Sequence, residues 1–147
     1  MPRFLQTYLC GLAAVATLGL TGLSAPAHAD QVRCTIAKVT SIGMGSRANT
    51  RNFLGEAVTF DTARNAVKVE WERGTSDWIP AEEKLSNNRF VSYAIFEDIE
   101  FRDGMTTVKI IFRLYNDGSK AEIRSEPQKN AGGGRDWKQN AARYACG

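Results

Sequence analysis

Two cysteines far apart in the chain, Cys34 and Cys146, constrain its fold more than any other feature of the sequence. A third, Cys10, lies in an N-terminal stretch that reads as an export signal. Arg3 supplies a positive start, Leu9 to Leu23 an apolar run, and Ala27-His28-Ala29 a small-residue cleavage site. The pattern predicts a cleaved Sec-type signal peptide over residues 1–29 and a single mature domain over residues 30–147, beginning at Asp30. A membrane anchor would need about 18 or more strongly apolar residues, and this run is diluted by Gly and Thr, so no membrane span is expected after cleavage. A lipoprotein signal fits badly, because Cys10 stands at the start of the apolar stretch and Thr7-Tyr8-Leu9 is not a lipobox. An exported chain meets an oxidising compartment, secreted or periplasmic, where an isolated cysteine pair is expected to form a structural disulfide. The two ends of the domain must then meet, with the cysteine Cα atoms within about 7 Å. Redox pairs lie close together in sequence, and soft-metal sites need more Cys or His than this chain has.

Between the cysteines the patterning is that of strands and turns. Val67, Val69 and Trp71 alternate with Lys68, Glu70 and Glu72, and the five-residue turn Asp61 to Asn65 joins them to a run containing Leu54, Glu56, Val58 and Phe60. Phe90 to Phe96 is rich in β-formers on both faces, which suggests a central strand or one covered by another layer. Asp103-Gly104 suits a hairpin, Thr106 to Tyr115 places Val108, Ile110, Phe112 and Leu114 on one face, and Asn116-Asp117-Gly118 turns the chain into Ala121 and Ile123. Three such strands form an antiparallel meander. A first strand is expected over Cys34 to Ile42, with Val32, Cys34 and Ile36 on one side. Pro80-Ala-Glu-Glu-Lys-Leu suggests a short helical turn, and Trp137 to Tyr144 either a short helix or a last strand. The expected fold is all-β and mainly antiparallel: a small single-domain barrel or sandwich of about six to eight short strands, closed by the N-to-C-terminal disulfide.

Charge and composition remove several kinds of function. Of the 19 Lys and Arg residues one, Arg3, lies in the leader, which leaves 18 against 16 acidic residues, too balanced and too scattered for a nucleic-acid binder. The single histidine, His28, also lies in the leader. The mature domain therefore has no Ser-His-Asp triad, no Cys-His dyad and no His-ligated zinc, and with both cysteines bridged it has no thiol nucleophile. No cofactor is implied. Carboxylate chemistry, a Ser-Lys arrangement, or binding without catalysis remain.

Three stretches invite a functional role. Glu97, Asp98 and Glu100, with Asp103 nearby, concentrate carboxylates that could hold a hard cation, although charge runs of this kind are mostly solvated faces and the spacing is not that of an EF-hand. Gly132-Gly133-Gly134-Arg135-Asp136-Trp137 could form an anion-binding nest, but no Walker motif follows, and a loose connection is the plainer role. On the strand Thr106 to Tyr115, the face opposite the apolar one carries Lys109, Ile111, Arg113 and Tyr115, which Tyr93 or Phe96 could extend into a docking patch. The competing expectation, and the preferred one, is that the C-terminal segment with Trp137 and Tyr144 folds over that face.

In general design (an exported chain of this size, a small β-barrel, an end-to-end disulfide) the chain resembles the periplasmic inhibitors of c-type lysozyme. The likeness is of architecture, since their Ser-Gly-x-x-Tyr motif has no counterpart in a chain without a Ser-Gly dipeptide. The expected function is a binding or interaction module of the bacterial cell envelope, with an envelope protein or glycan as partner, rather than an enzyme. The alternatives are a small-ligand carrier using a barrel interior and a carboxylate-based hydrolase of envelope glycans. A core packed solid would argue against the carrier.

Overall fold

The computed structural model describes residues 30–43, 45–101, 104–127 and 139–147. Among the described residues ten strands and one helix follow one another in the order β1 (Gln31–Ser41), α1 (Arg47–Leu54), β2 (Ala57–Asp61), β3 (Ala66–Trp71), β4 (Gly74–Thr75), β5 (Ile79–Pro80), β6 (Glu83–Ser86), β7 (Phe90–Phe101), β8 (Gly104–Tyr115), β9 (Lys120–Pro127) and β10 (Asn140–Cys146). The strands all belong to one antiparallel sheet, ordered β4-β3-β2-β1-β10-β9-β8-β7-β6, with β5 also on β3. The expected meander is β7-β8-β9, and its turn is made as the sequence suggests: Asp117 Oδ1 accepts from the Ser119 N–H, and Gly118 takes a positive φ of 67°.

The sheet is strongly curled. Four strands separate β2 from β7, so a flat sheet would hold them roughly 24 Å apart at the usual strand spacing. Instead the rings of Phe60 on β2 and Tyr93 on β7 meet with centroids 6.0 Å apart. Inward residues of every long strand converge there: Cys34, Val58, Phe60, Val67, Tyr93, Phe112, Ile123, Ala142 and Tyr144 are all essentially buried. Each large side chain in this set contributes about 1.5–3 kcal/mol by leaving water.

Closure is partial. The stretch from β5 to β6 crosses from one sheet edge to the other: the Ala81 N–H bonds the Asn65 carbonyl beside β3, and the next N–H, of Glu82, bonds the Ala94 carbonyl of β7. This staple joins the edges at one end only, and the sheet as a whole stays open. The architecture is thus a looser form of the expected barrel. The strand count also exceeds the expected six to eight because residues 74–86 supply three short edge pieces, while β7 and β8 run to 12 residues each. The helical turn expected after Pro80 does not form. Its backbone groups are taken up by the two edges instead.

Helix α1 was not signalled by apolar periodicity. Ser46 caps it, its side chain accepting from the Asn49 N–H, and only Thr50 and Leu54, four apart, are buried. The run expected from Leu54 to Phe60 begins as strand only at Ala57, because Leu54 ends this helix and Gly55 turns the chain at φ 93°. Docking to the sheet holds the helix in place. Tyr144 Oη donates to the Gly55 carbonyl at 2.7 Å, and Thr50 Oγ1 donates to Asn140 Oδ1, whose own amide donates to Ser125 Oγ. Asn140 Oδ1 also accepts from the Gly43 N–H, so both the oxygen and the nitrogen of the buried amide have partners.

Candidate functional site

The half-closed sheet leaves a trough where its edges are not stapled. One wall is Val69 and Trp71 of β3 with Ile79 of β5. The other is Ile95, Glu97 and Ile99 of β7 with Ile110 and Phe112 of β8. Asn52, Phe53 and Leu54, the last turn of α1, complete the lining. The cavity measures about 400 Å³, within the size range of small-molecule sites, and nearly all its lining is apolar. Strand alternation produces both walls. Val67-Val69-Trp71 and Tyr93-Ile95-Glu97-Ile99 each start in the packed core and walk outward along one face, so the later members of each series reach the open mouth. Trp71 is 37% exposed there.

The pleat separates the three carboxylates of the suggested cation site. Glu97 faces inward into the trough, whereas Asp98 and Glu100 face outward, Asp98 accepting from Thr107 Oγ1 at 2.6 Å. Among the described residues no group of three His, Cys, Asp or Glu is placed to hold a metal ion. Asp103 and the Gly132 to Trp137 stretch lie outside the described residues.

On the outer face, Lys109, Ile111, Arg113 and Tyr115 do share one side of β8, as the alternation requires. The first three border a second concavity of about 370 Å³, lined also by Leu85 of β6 and by Ser92 and Ala94 of β7; Tyr115 lies outside it. This face is already occupied by its own side chains. Lys109 pairs with Glu83, Arg113 with Glu122 at 3.8 Å and Arg124 with Glu126 at 3.2 Å. The Arg113 guanidinium lies 4.1 Å over the Phe90 ring, and Lys120 lies 4.6 Å over Tyr115. Between the long stems Ile111 is only 9% exposed. Tyr144, expected as a possible cover for this face, lies on the opposite one, under α1, and Trp137 is outside the described residues.

Cys34 and Cys146 are disulfide-bonded, with Cα atoms 3.9 Å apart. Among the described residues no helix is long and apolar enough to cross a membrane. Of the carboxylates, Asp61, Glu70 and Asp117 are held below their ordinary range, each by hydrogen-bond donors: the Arg64 backbone and side chain, Arg33, and Ser119 respectively. A general acid needs a shift in the other direction. Burial pushes the Tyr144 hydroxyl up, and burial together with the Asp61 charge does the same to Tyr93. Both tyrosines therefore stay neutral.

Sequence reasoning picked out Glu97 but not the company it keeps. Trp71 was legible as the outermost inward residue of its strand. Asn52 and Phe53 were not, since they depend on a helix with little apolar signal. Comparison with known protein families, curated proteins and solved structures finds no match to this chain.

Proposed function

We propose that this protein is an exported binding module that holds a small, mainly apolar ligand in the trough between α1, β3 and β7–β8. The observation that carries the proposal is the shape of the sheet. The two edges are stapled at β5–β6 and diverge beyond it, leaving about 400 Å³ walled by Trp71, Ile79, Ile95, Ile99, Ile110 and Phe112. Surface of this kind is costly to leave to water and is the usual lining of a ligand site. The disulfide fits an extracellular or periplasmic setting, where such a module would meet envelope components. The outer face supports docking less well, because its cations are paired and its one central aliphatic residue is covered.

A titration with a neutral hydrophobic dye tests this. The native protein should bind it saturably, and Ile110→Trp, which fills the trough, should weaken binding about tenfold, the effect of losing roughly 1.4 kcal/mol of contact. Equal binding by the variant, at unchanged melting temperature, would move the site elsewhere.

A further inference from the structure

Resting on that reading of the trough, we infer that its ligand is a cationic amphiphile: an apolar tail lies among Ile95, Ile110 and Phe112, and an ammonium head sits at the mouth beside Glu97. Among the described residues Glu97 is the one charged side chain in the lining. It is exposed at the mouth, and among the described residues it joins no ion pair, in contrast to Glu70, Glu83 and Glu122, which each have a cation. A carboxylate set into apolar walls favours a positive group and disfavours a negative one. The aromatic side chains point the same way. Trp71 is exposed at the mouth and Phe53 belongs to the same lining, and the faces of aromatic rings attract ammonium groups, Trp most strongly. Apolar walls with an acid and a Trp at the rim are therefore complementary in charge and shape to an alkylammonium ligand, and mismatched to a fatty acid, which would bring a second carboxylate to Glu97.

The test compares decylammonium, decanol and decanoate, each titrated below its micellar range against the full exported protein and against Glu97→Gln, with heat and Trp fluorescence as readouts. The native protein should bind decylammonium about fivefold more tightly than decanol and decanoate more weakly than either. Glu97→Gln should remove that order while leaving decanol within about twofold of native, since an exposed ion pair and an exposed cation–π contact are each worth only about 1 kcal/mol or less. High salt should narrow the same gap. If the three bind equally, or decanoate binds best, the inference about the head group is overturned and the trough remains a ligand site. If none binds saturably, because the chain's own segments fill the trough or for any other reason, both proposals fall.

Discussion

Cys34 and Cys146 face each other as direct register partners across β1 and β10, the first and last of the described strands, which lie side by side in the middle of the sheet. The bridge thus crosses a ladder that already pairs its strands, and Cys34 is fully buried beside Val58. Its contribution comes chiefly from closing a separation of 112 residues in the unfolded chain, about 4–5 kcal/mol in the chain-entropy model. Cys34→Ser and Cys146→Ser should each cost a few kcal/mol in denaturant unfolding, and the double variant little more than either. Additive losses would mean that the thiols act separately.

Gly55 sits where α1 hands over to β2, at φ 93°, with the position of a Cβ only 2.4 Å from Val69 Cγ1. Gly55→Ala meets both backbone strain and a core methyl, and should lower stability by about 2–4 kcal/mol. Val69 also lines the trough, so ligand binding should weaken with it. A melting temperature within a degree or so of native would contradict this packing.

Tyr144 fastens the same corner from below, through its hydroxyl to the Leu54 and Gly55 carbonyls. Tyr144→Phe keeps the ring and leaves those carbonyls without this donor. Thermal unfolding should show a loss of about 1–3 kcal/mol. Unchanged stability would show that the hydroxyl does not hold α1 to the sheet.

Asp61 lies buried at the end of β2 and accepts from the Arg64 N–H at 2.8 Å, from Arg64 Nε at 2.7 Å and from Gln31 Nε2 at 3.1 Å. These donors, the Arg64 backbone first, hold its carboxyl below the ordinary 3.8. The folded protein thus binds that proton less readily than the unfolded chain. The stability this confers is present above pH 3.8 and is lost as pH falls below it, through the folded value. Stability measured from neutral to acid pH should fall less steeply in Asp61→Asn than in the native protein over that window. Parallel curves would assign the acid dependence to other groups, such as Glu70 and Asp117.

Much of the fold was legible because strands written in period two reveal their inward face. Val67 and Val69, and Val108, Phe112 and Leu114, are buried as their alternation requires, and the meander from Phe90 to Ser125 follows from its turns. Local pattern does not encode curl. Nothing in either segment says that Phe60 will meet Tyr93 across four intervening strands, so the trough that the curl creates had no sequence signature. Helix α1 was hidden for a related reason. Its eight residues, RANTRNFL, carry little apolar signal of their own, and it is held in place by buried hydrogen bonds, from Thr50 Oγ1 to Asn140 Oδ1 and from the Tyr144 hydroxyl to the Gly55 carbonyl. Glu97 was noticed as one of a run of acids, but the pleat that turns it away from Asp98 and Glu100 gives it its place in the trough.

Methyl NMR on the isoleucines tests the central claim most directly. Ile79, Ile95, Ile99 and Ile110 line the trough, whereas Ile36 and Ile123 lie elsewhere in the sheet and Ile111 borders the outer groove. On addition of a long-chain alcohol, the δ1-methyl signals of the first four should shift saturably and together. Those of Ile36, Ile111 and Ile123 should stay in place. Shifts centred on Ile111, or none at all in the four trough isoleucines, would contradict the assignment of the trough as the ligand site.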